Sequence, residues 1–125
     1  MSQRIIARIS AAVITTLSLE CNPGEPIYLG DSNIDHMKDR HPVDYERYHA
    51  YIGQILSSPD YVAINEKNNS LEYVKEFKID GAFVKVAVRV SQSGRYFARS
   101  MYTLNANRVQ NFISKGTLKR IDSHG

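Results

Sequence analysis

The chain is short of the features that would place it in several large protein classes. It has a single cysteine, Cys21, which excludes an intramolecular disulfide and a cysteine-built zinc site and agrees with a reducing compartment. Its longest aliphatic run, Ala11 to Ile14, falls far below the roughly 20 residues that cross a bilayer. The opening Met1-Ser-Gln-Arg4 lacks the apolar stretch of a secretory signal, so a soluble, cytoplasmic chain without membrane contact is expected. Internal repeats and low-complexity tracts are absent as well. Strong charge is also missing: 16 Lys and Arg against 13 Asp and Glu leave +3, a balance that tolerates an anionic partner without demanding one. There is no clustered pair of Asp or Glu at two-metal spacing. His36 and His41 would point about 140° apart on a regular helix, so neither a metal site nor a cofactor is expected. A length of 125 residues suits one domain, 1–125, with a core of its own.

What the chain does have is a polar segment from Asp31 to Asp44 that crowds His36, His41, Lys38 and Arg40 between apolar stretches. Asn33 is a good N-cap residue, and Ile34 and Met37 share a helical face, so the spacing predicts a short helix over Ile34 to Arg40. His36 and Arg40, four apart, lie on one side of it. Pro42 disfavours helical geometry at His41 and so redirects the second imidazole where the helix stops. Two imidazoles near a guanidinium form a candidate acid/base and phosphate-binding group. The structural alternative makes His41 a core residue bonded to a carbonyl and His36 an ordinary solvated side chain.

Elsewhere the chain is organised by periodicity. Ser10 is placed to cap a helix carrying Val13, Ile14 and Leu17, and the turn cluster Asn22-Pro-Gly-Glu-Pro26 leads to a short extended run, Ile27 to Leu29. Asp44 is expected to cap a second helix with Tyr45, Tyr48, Ile52, Ile55 and Leu56 on one stripe, and His49 at its surface. From Asp60 the pattern turns extended: Tyr61 to Ile64, Leu71 to Ile79, Phe83 to Ser91 and Tyr96 to Leu104 read as strands of an antiparallel meander, with Asp80-Gly81 as a two-residue turn. In the third of these strands Val84, Val86, Val88 and Val90 should face the core, and Lys85 and Arg89 an open face. In the fourth, Arg99 sits between apolar neighbours, which a bulge at Ala98 or Arg99 would resolve. Asn105 or Asn107 then caps a short last helix, Thr117 to Ile121 can add an edge strand, and Asp122 to Gly125 should fray.

Several pieces, taken in order, resemble a known family. His-Met-Lys-Asp-Arg-His-Pro-Val-Asp-Tyr (36–45), Ser-Pro-Asp-Tyr-Val (58–62), Ser-Leu-Glu-Tyr-Val-Lys (70–75), Val-Lys-Val-Ala-Val-Arg (84–89), Ala-Arg-Ser-Met-Tyr (98–102) and Lys-Gly-Thr-Leu-Lys (115–119) are similar to the phage- and mobile-element-borne branch of the barnase, EndoU, colicin and RelE-like nucleases. The resemblance implies an α+β fold, with N-terminal helices packed on one face of a roughly four-stranded antiparallel sheet and a short C-terminal helix. It further implies a metal-independent endoribonuclease of toxin or effector type, with RNA as its partner and a cognate inhibitor or antitoxin as a further one. By motif, a catalytic histidine carries over to His36 or His41, and strand residues of the site to Arg99, Ser100 and Tyr102.

The chemistry of such a reaction fits the residues at hand. Attack of a ribose 2′-hydroxyl on the adjacent phosphorus yields a 2′,3′-cyclic phosphate; it needs a base, an acid for the leaving 5′-oxygen and cations for the phosphoryl charge. His36 and His41 are the base and acid in either order. Arg99 would hold the phosphate, with Arg40, Lys85 and Arg89 as substrate-binding cations, and Ser100 or Tyr102 would donate a hydrogen bond or orient an imidazole. Arg99 paired with a carboxylate such as Glu72, and Tyr102 as a core aromatic, are the structural alternatives. A different class, a non-catalytic nucleic-acid-binding accessory of a mobile element, would use Lys85, Arg89, Arg99 and the tyrosines as a basic-aromatic surface.

Overall fold

A computed structural model describes residues 2–121; the expectation for Asp122 to Gly125 lies outside the described residues. β1 (Gln3–Arg8) and β2 (Pro26–Gly30) form an antiparallel pair around α1 (Ala11–Leu17). Ser10 Oγ accepts the Val13 N–H at 3.2 Å and so caps α1. The helix closes where Ser18 turns left-handed (φ 55°) and the Leu19 N–H reaches the Ile14 carbonyl at 3.0 Å.

The histidine segment is helical, as its spacing predicts, but starts earlier. α2 runs Asp31–Arg40 with Gly30 as its cap. Asn33 is therefore not the cap: it sits in the first turn, and its Oδ1 reaches back to accept the Gly30 N–H at 2.9 Å. α3 (Pro42–Tyr48) begins on the proline, whose missing N–H needs no partner at that position. His41 is the non-helical link between the two helices (φ −142°, ψ 67°). The single helix expected after Asp44 is broken into α3, a turn of 3₁₀ helix at His49–Tyr51, and α4 (Ile52–Ser57). Asp44 does not cap it, because its carboxylate is used across the fold, accepting the Thr103 N–H at 3.0 Å.

The predicted meander is present as β3 (Tyr61–Asn65), β4 (Ser70–Phe77), β5 (Ala82–Val90) and β6 (Tyr96–Leu104), each antiparallel to the next. The expectation of roughly four antiparallel strands is corrected by its extensions. Among the described residues the sheet is seven-stranded and mixed, in the order β1-β2-β6-β5-β4-β3-β7. β2 joins β6 in parallel through Ile27–Tyr96 and Tyr28–Phe97 alone, and β7 (Lys119–Arg120) adds to β3. Asp80-Gly81 is not a two-residue turn: Phe77 pairs with Ala82 across Lys78–Gly81, with Gly81 supplying a positive φ of 63°. The fourth strand does carry a bulge. Ser100 lies opposite Ala87 and Ala98 opposite Val88, which leaves Arg99 as the extra residue.

Val84, Val86 and Val88 are fully buried in one core, together with Tyr73 and Met101 of the sheet, Val13 of α1, Met37 of α2, Tyr48 of α3, and Ile52, Ile55 and Leu56 of α4. Val90 departs from the expected pattern and is 41% exposed, so β5 outruns the helical layer. On the opposite face a second, smaller core gathers Ala63, Val74, Phe83 and Leu104 beneath Val109 of α5 (Ala106–Ser114). The helices thus occupy both faces rather than one: α1 to α4 share the first core, and α5 covers one end of the second face.

Candidate active site

The uncovered part of that second face follows from strand register. Residues opposite one another in an antiparallel pair project to the same side. Arg89 lies opposite Ser70 and Phe97, Ala87 opposite Glu72 and Ser100, and Lys85 opposite Val74 and Tyr102. Ala63, Ser70, Ala87 and Ser100 make a floor of small side chains in a sheet otherwise rich in branched and aromatic ones. The longer Lys85, Arg89, Tyr102 and Glu72 rise around it.

His41 meets this face at Tyr102. The two rings stack with centroids 4.9 Å apart at 30°, and the Lys85 ammonium lies 4.8 Å from the centroid of the same tyrosine ring. Three constraints fix the imidazole there. The His41 backbone N–H donates to the Met37 carbonyl at 3.0 Å, its backbone carbonyl accepts the Tyr45 N–H at 2.9 Å, and Asp44 ties the start of α3 to β6 at Thr103, next to Tyr102. His41 is thus neither a core histidine nor a free one, but a half-buried ring pressed on the edge of a charged depression.

Lys85 lies on the expected face, where it lines a groove rather than facing bulk solvent. It is 9% exposed, and its Nζ lies 3.2 Å from Glu72 Oε2, which also accepts from Asn65 Nδ2 at 3.3 Å. Glu72 therefore does not pair with Arg99, and what it does is hold a buried ammonium in place, a charge that would be costly to leave unpaired. Arg99 is pushed outward by the bulge and is exposed. It lines a pocket of about 180 Å³ together with Arg89, Ser32, Gln3 and Phe97, and among the described residues no carboxylate lines that pocket. Two guanidinium groups in one pocket concentrate positive charge there.

The structure therefore brings His41, Tyr102 and Lys85 into contact, and Arg89 and Arg99 into one pocket. Ser100 projects onto the floor between them, half-buried. His36 and Arg40 are exposed on α2 and make no hydrogen bond or aromatic contact with β6 among the described residues. Ser32, one helical turn before His36, does line the Arg89–Arg99 pocket. Sequence reasoning missed Glu72 as the partner of Lys85, Asn65 behind it, and Asp44 as the tie that sets His41. The alternation of β4 places Glu72 on the same face as Lys85 once the register is known; the register itself is the missing signal. Among the described residues, no three His, Cys, Asp or Glu side chains group as metal ligands, and no helix is long and apolar enough to cross a membrane.

A family model described as phage-Barnase-EndoU-ColicinE5/D-RelE like nuclease3 matches residues 4–111, from β1 into α5. No curated protein and no solved structure matches the chain.

Proposed function

Because the chain belongs to the phage-Barnase-EndoU-ColicinE5/D-RelE like nuclease3 family, and its nuclease character follows from that membership, we propose that its substrate is RNA and that it cuts by 2′-hydroxyl attack without a metal. The observation that carries this reading is His41 stacked on Tyr102 with the Lys85 ammonium beside the same ring. It joins an imidazole, which can accept or donate a proton, to a positive charge held in place on the same face.

In the proposed reaction the scissile phosphate lies over the Ala87–Ser100 floor. His41 exchanges a proton with the 2′-oxygen or the leaving 5′-oxygen, and His36 serves the other step. As the 2′-oxygen bonds to phosphorus the P–O5′ bond breaks, and the charge on the phosphoryl oxygens falls to Lys85, Arg89 and Arg99. Ser32 in the arginine pocket supports the part given to His36, since residues four apart share a helix face. Tyr102 orients the imidazole, Ser100 donates to the phosphate, and Arg40 meets the strand beyond. The setting is an effector or toxin of a phage or mobile element acting in a cytoplasm, held in check by a cognate inhibitor protein.

The test is an end-labelled RNA incubated with pure protein in EDTA. Short products ending in 2′,3′-cyclic phosphate are expected, along with resistance of a substrate carrying 2′-deoxyribose at the scissile position. An intact but shifted band would instead favour the second reading, a nucleic-acid-binding accessory. The Arg89–Arg99 pocket is the feature on that side.

A further inference from the structure

Away from the cleavage face, on the helical side of the sheet, the reaction leaves one surface unused. β4 and β5 are joined by Lys78–Gly81, and the Ile79 side chain in that turn is fully exposed. Beside it α3, the 3₁₀ turn and β4 enclose a depression of about 460 Å³ whose apolar wall is Tyr48, Tyr51 and Phe77. We propose that this surface is a two-fold contact between two copies of the chain, the Ile79 of each seated in the aromatic depression of the other.

The knob and the hole are both built before any partner arrives. The Phe77 ring packs on the first core from the helical side. It meets the Tyr48 ring at 5.1 Å and the edge of the Tyr51 ring at 5.3 Å. The Tyr48 hydroxyl donates to Asp80 Oδ2 at 3.1 Å, which ties the turn carrying Ile79 to the helix that walls the depression. Tyr51 is nonetheless 43% exposed, so apolar area remains for a partner to cover. Arg47, whose guanidinium lies 5.5 Å from the centroid of the Tyr48 ring, adds to the tyrosines the residue type that anchors protein contacts.

Charge selects the occupant. Arg47 and Lys78 stand on the rim of the depression together with Glu76 and Asp80. A nucleic-acid strand, or a partner of one charge sign, would be repelled by half of that rim. A second copy turned through 180° is not, because its cations can meet these acids and its acids these cations. A two-fold contact requires a surface complementary to itself, in which residue i meets j and j meets i; a knob beside its own hole, ringed by both signs of charge, satisfies that condition. The cleavage face of each copy stays open, so the pairing stands whether or not the RNA-cleaving reading holds.

The experiment is sedimentation of the full chain over a concentration series reaching about 100 μM, where an association of micromolar order is saturated. The parent should rise to twice the mass of one chain and stop there. Ile79→Asp changes a side chain that touches water only and should weaken association by more than about 10-fold with the thermal melt unchanged. Two further proteins reverse one half of the rim each: Arg47→Glu with Lys78→Glu, and Glu76→Lys with Asp80→Asn, the last keeping an acceptor for Tyr48. Each should stay monomeric alone, and an equimolar mixture should recover the dimer. A parent that is monomeric throughout overturns the proposal, as does association that Ile79→Asp leaves intact. Growth past the dimer overturns the two-fold geometry, and RNA binding lost on reversing the cations of a monomeric parent would give the surface to nucleic acid instead.

Discussion

Along β5 every second side chain enters one of two unlike environments. Val84, Val86 and Val88 are fully buried under α4 and its neighbours, whereas Lys85, Ala87 and Arg89 share a face that α5 covers at one end only. The first face is closed by branched apolar groups that interdigitate, and it stabilises the fold by removing area from water. The second gives up that gain at its centre, where Ala87, Ser70 and Ser100 are too small to fill the space. The polar groups it holds are fixed by one another instead, as Lys85 is by Glu72 and Asn65. A single strand thus divides a packed apolar face from a polar one by parity.

Substitutions on either side sharpen or break that division. The largest effect is expected at His41→Ala, which should lower RNA cleavage about 10²- to 10⁴-fold while leaving the urea midpoint where it was; a matching loss of stability would mean that the ring is structural. Next comes Ile55→Ala on the closed face, expected to cost about 2–5 kcal/mol of stability, with the cleavage rate of the remaining folded protein unchanged. Glu72→Gln bridges the two faces. It removes the carboxylate from the Lys85 ammonium and should cost about 1.5–3 kcal/mol in denaturant titrations, and it should also slow cleavage, since Lys85 loses its tether. An effect on stability alone would place Lys85 outside the reaction.

The smallest effect belongs to Tyr73, whose buried hydroxyl has no hydrogen-bond partner among the described residues. Tyr73→Phe should leave stability unchanged or raise it by about 1 kcal/mol. The same residue sets an alkaline limit, because burial, with smaller contributions from Cys21 and Tyr96, holds its pKa above the ordinary 10.0. Tyr96 is raised by burial and then by Cys21, and Tyr48 by burial and then by its hydrogen bond to Asp80. Below pH 10 both states keep these protons. Above it the unfolded chain releases them first, so stability should fall as pH rises past 10. Urea midpoints at pH 8 and 11 measure the slope, which should be shallower in Tyr73→Phe.

How much of this was legible in the sequence depended on how far apart the partners are. Period-two alternation located β3 to β6, and the clash of phases around Arg99 announced the bulge, because both signals lie within one strand. Pro42 likewise set His41 locally. The join of β2 to β6 escaped, since a parallel pairing of two residues leaves no periodic trace. Asp44 was read as a cap because cap-forming residues favour helix starts, yet its carboxylate bonds Thr103 on β6. Lys85 was assigned to the right face, but its partner escaped: alternation tells which way a side chain points, not that Glu72, on the neighbouring strand, will pair with it.

The bond between Asp44 and Thr103 bears on how this sheet meets other chains. Beyond Phe97, β6 has no strand partner on its β2 side among the described residues, and such an edge ordinarily offers free amides to any passing strand. Here the Thr103 amide is already taken, and the residue that takes it belongs to the helix that begins right after His41. A foreign strand adding at this edge would have to break that bond and lift α3 away. The same act would pull the imidazole off Tyr102, so protection against aggregation and the seating of His41 on Tyr102 depend on one carboxylate.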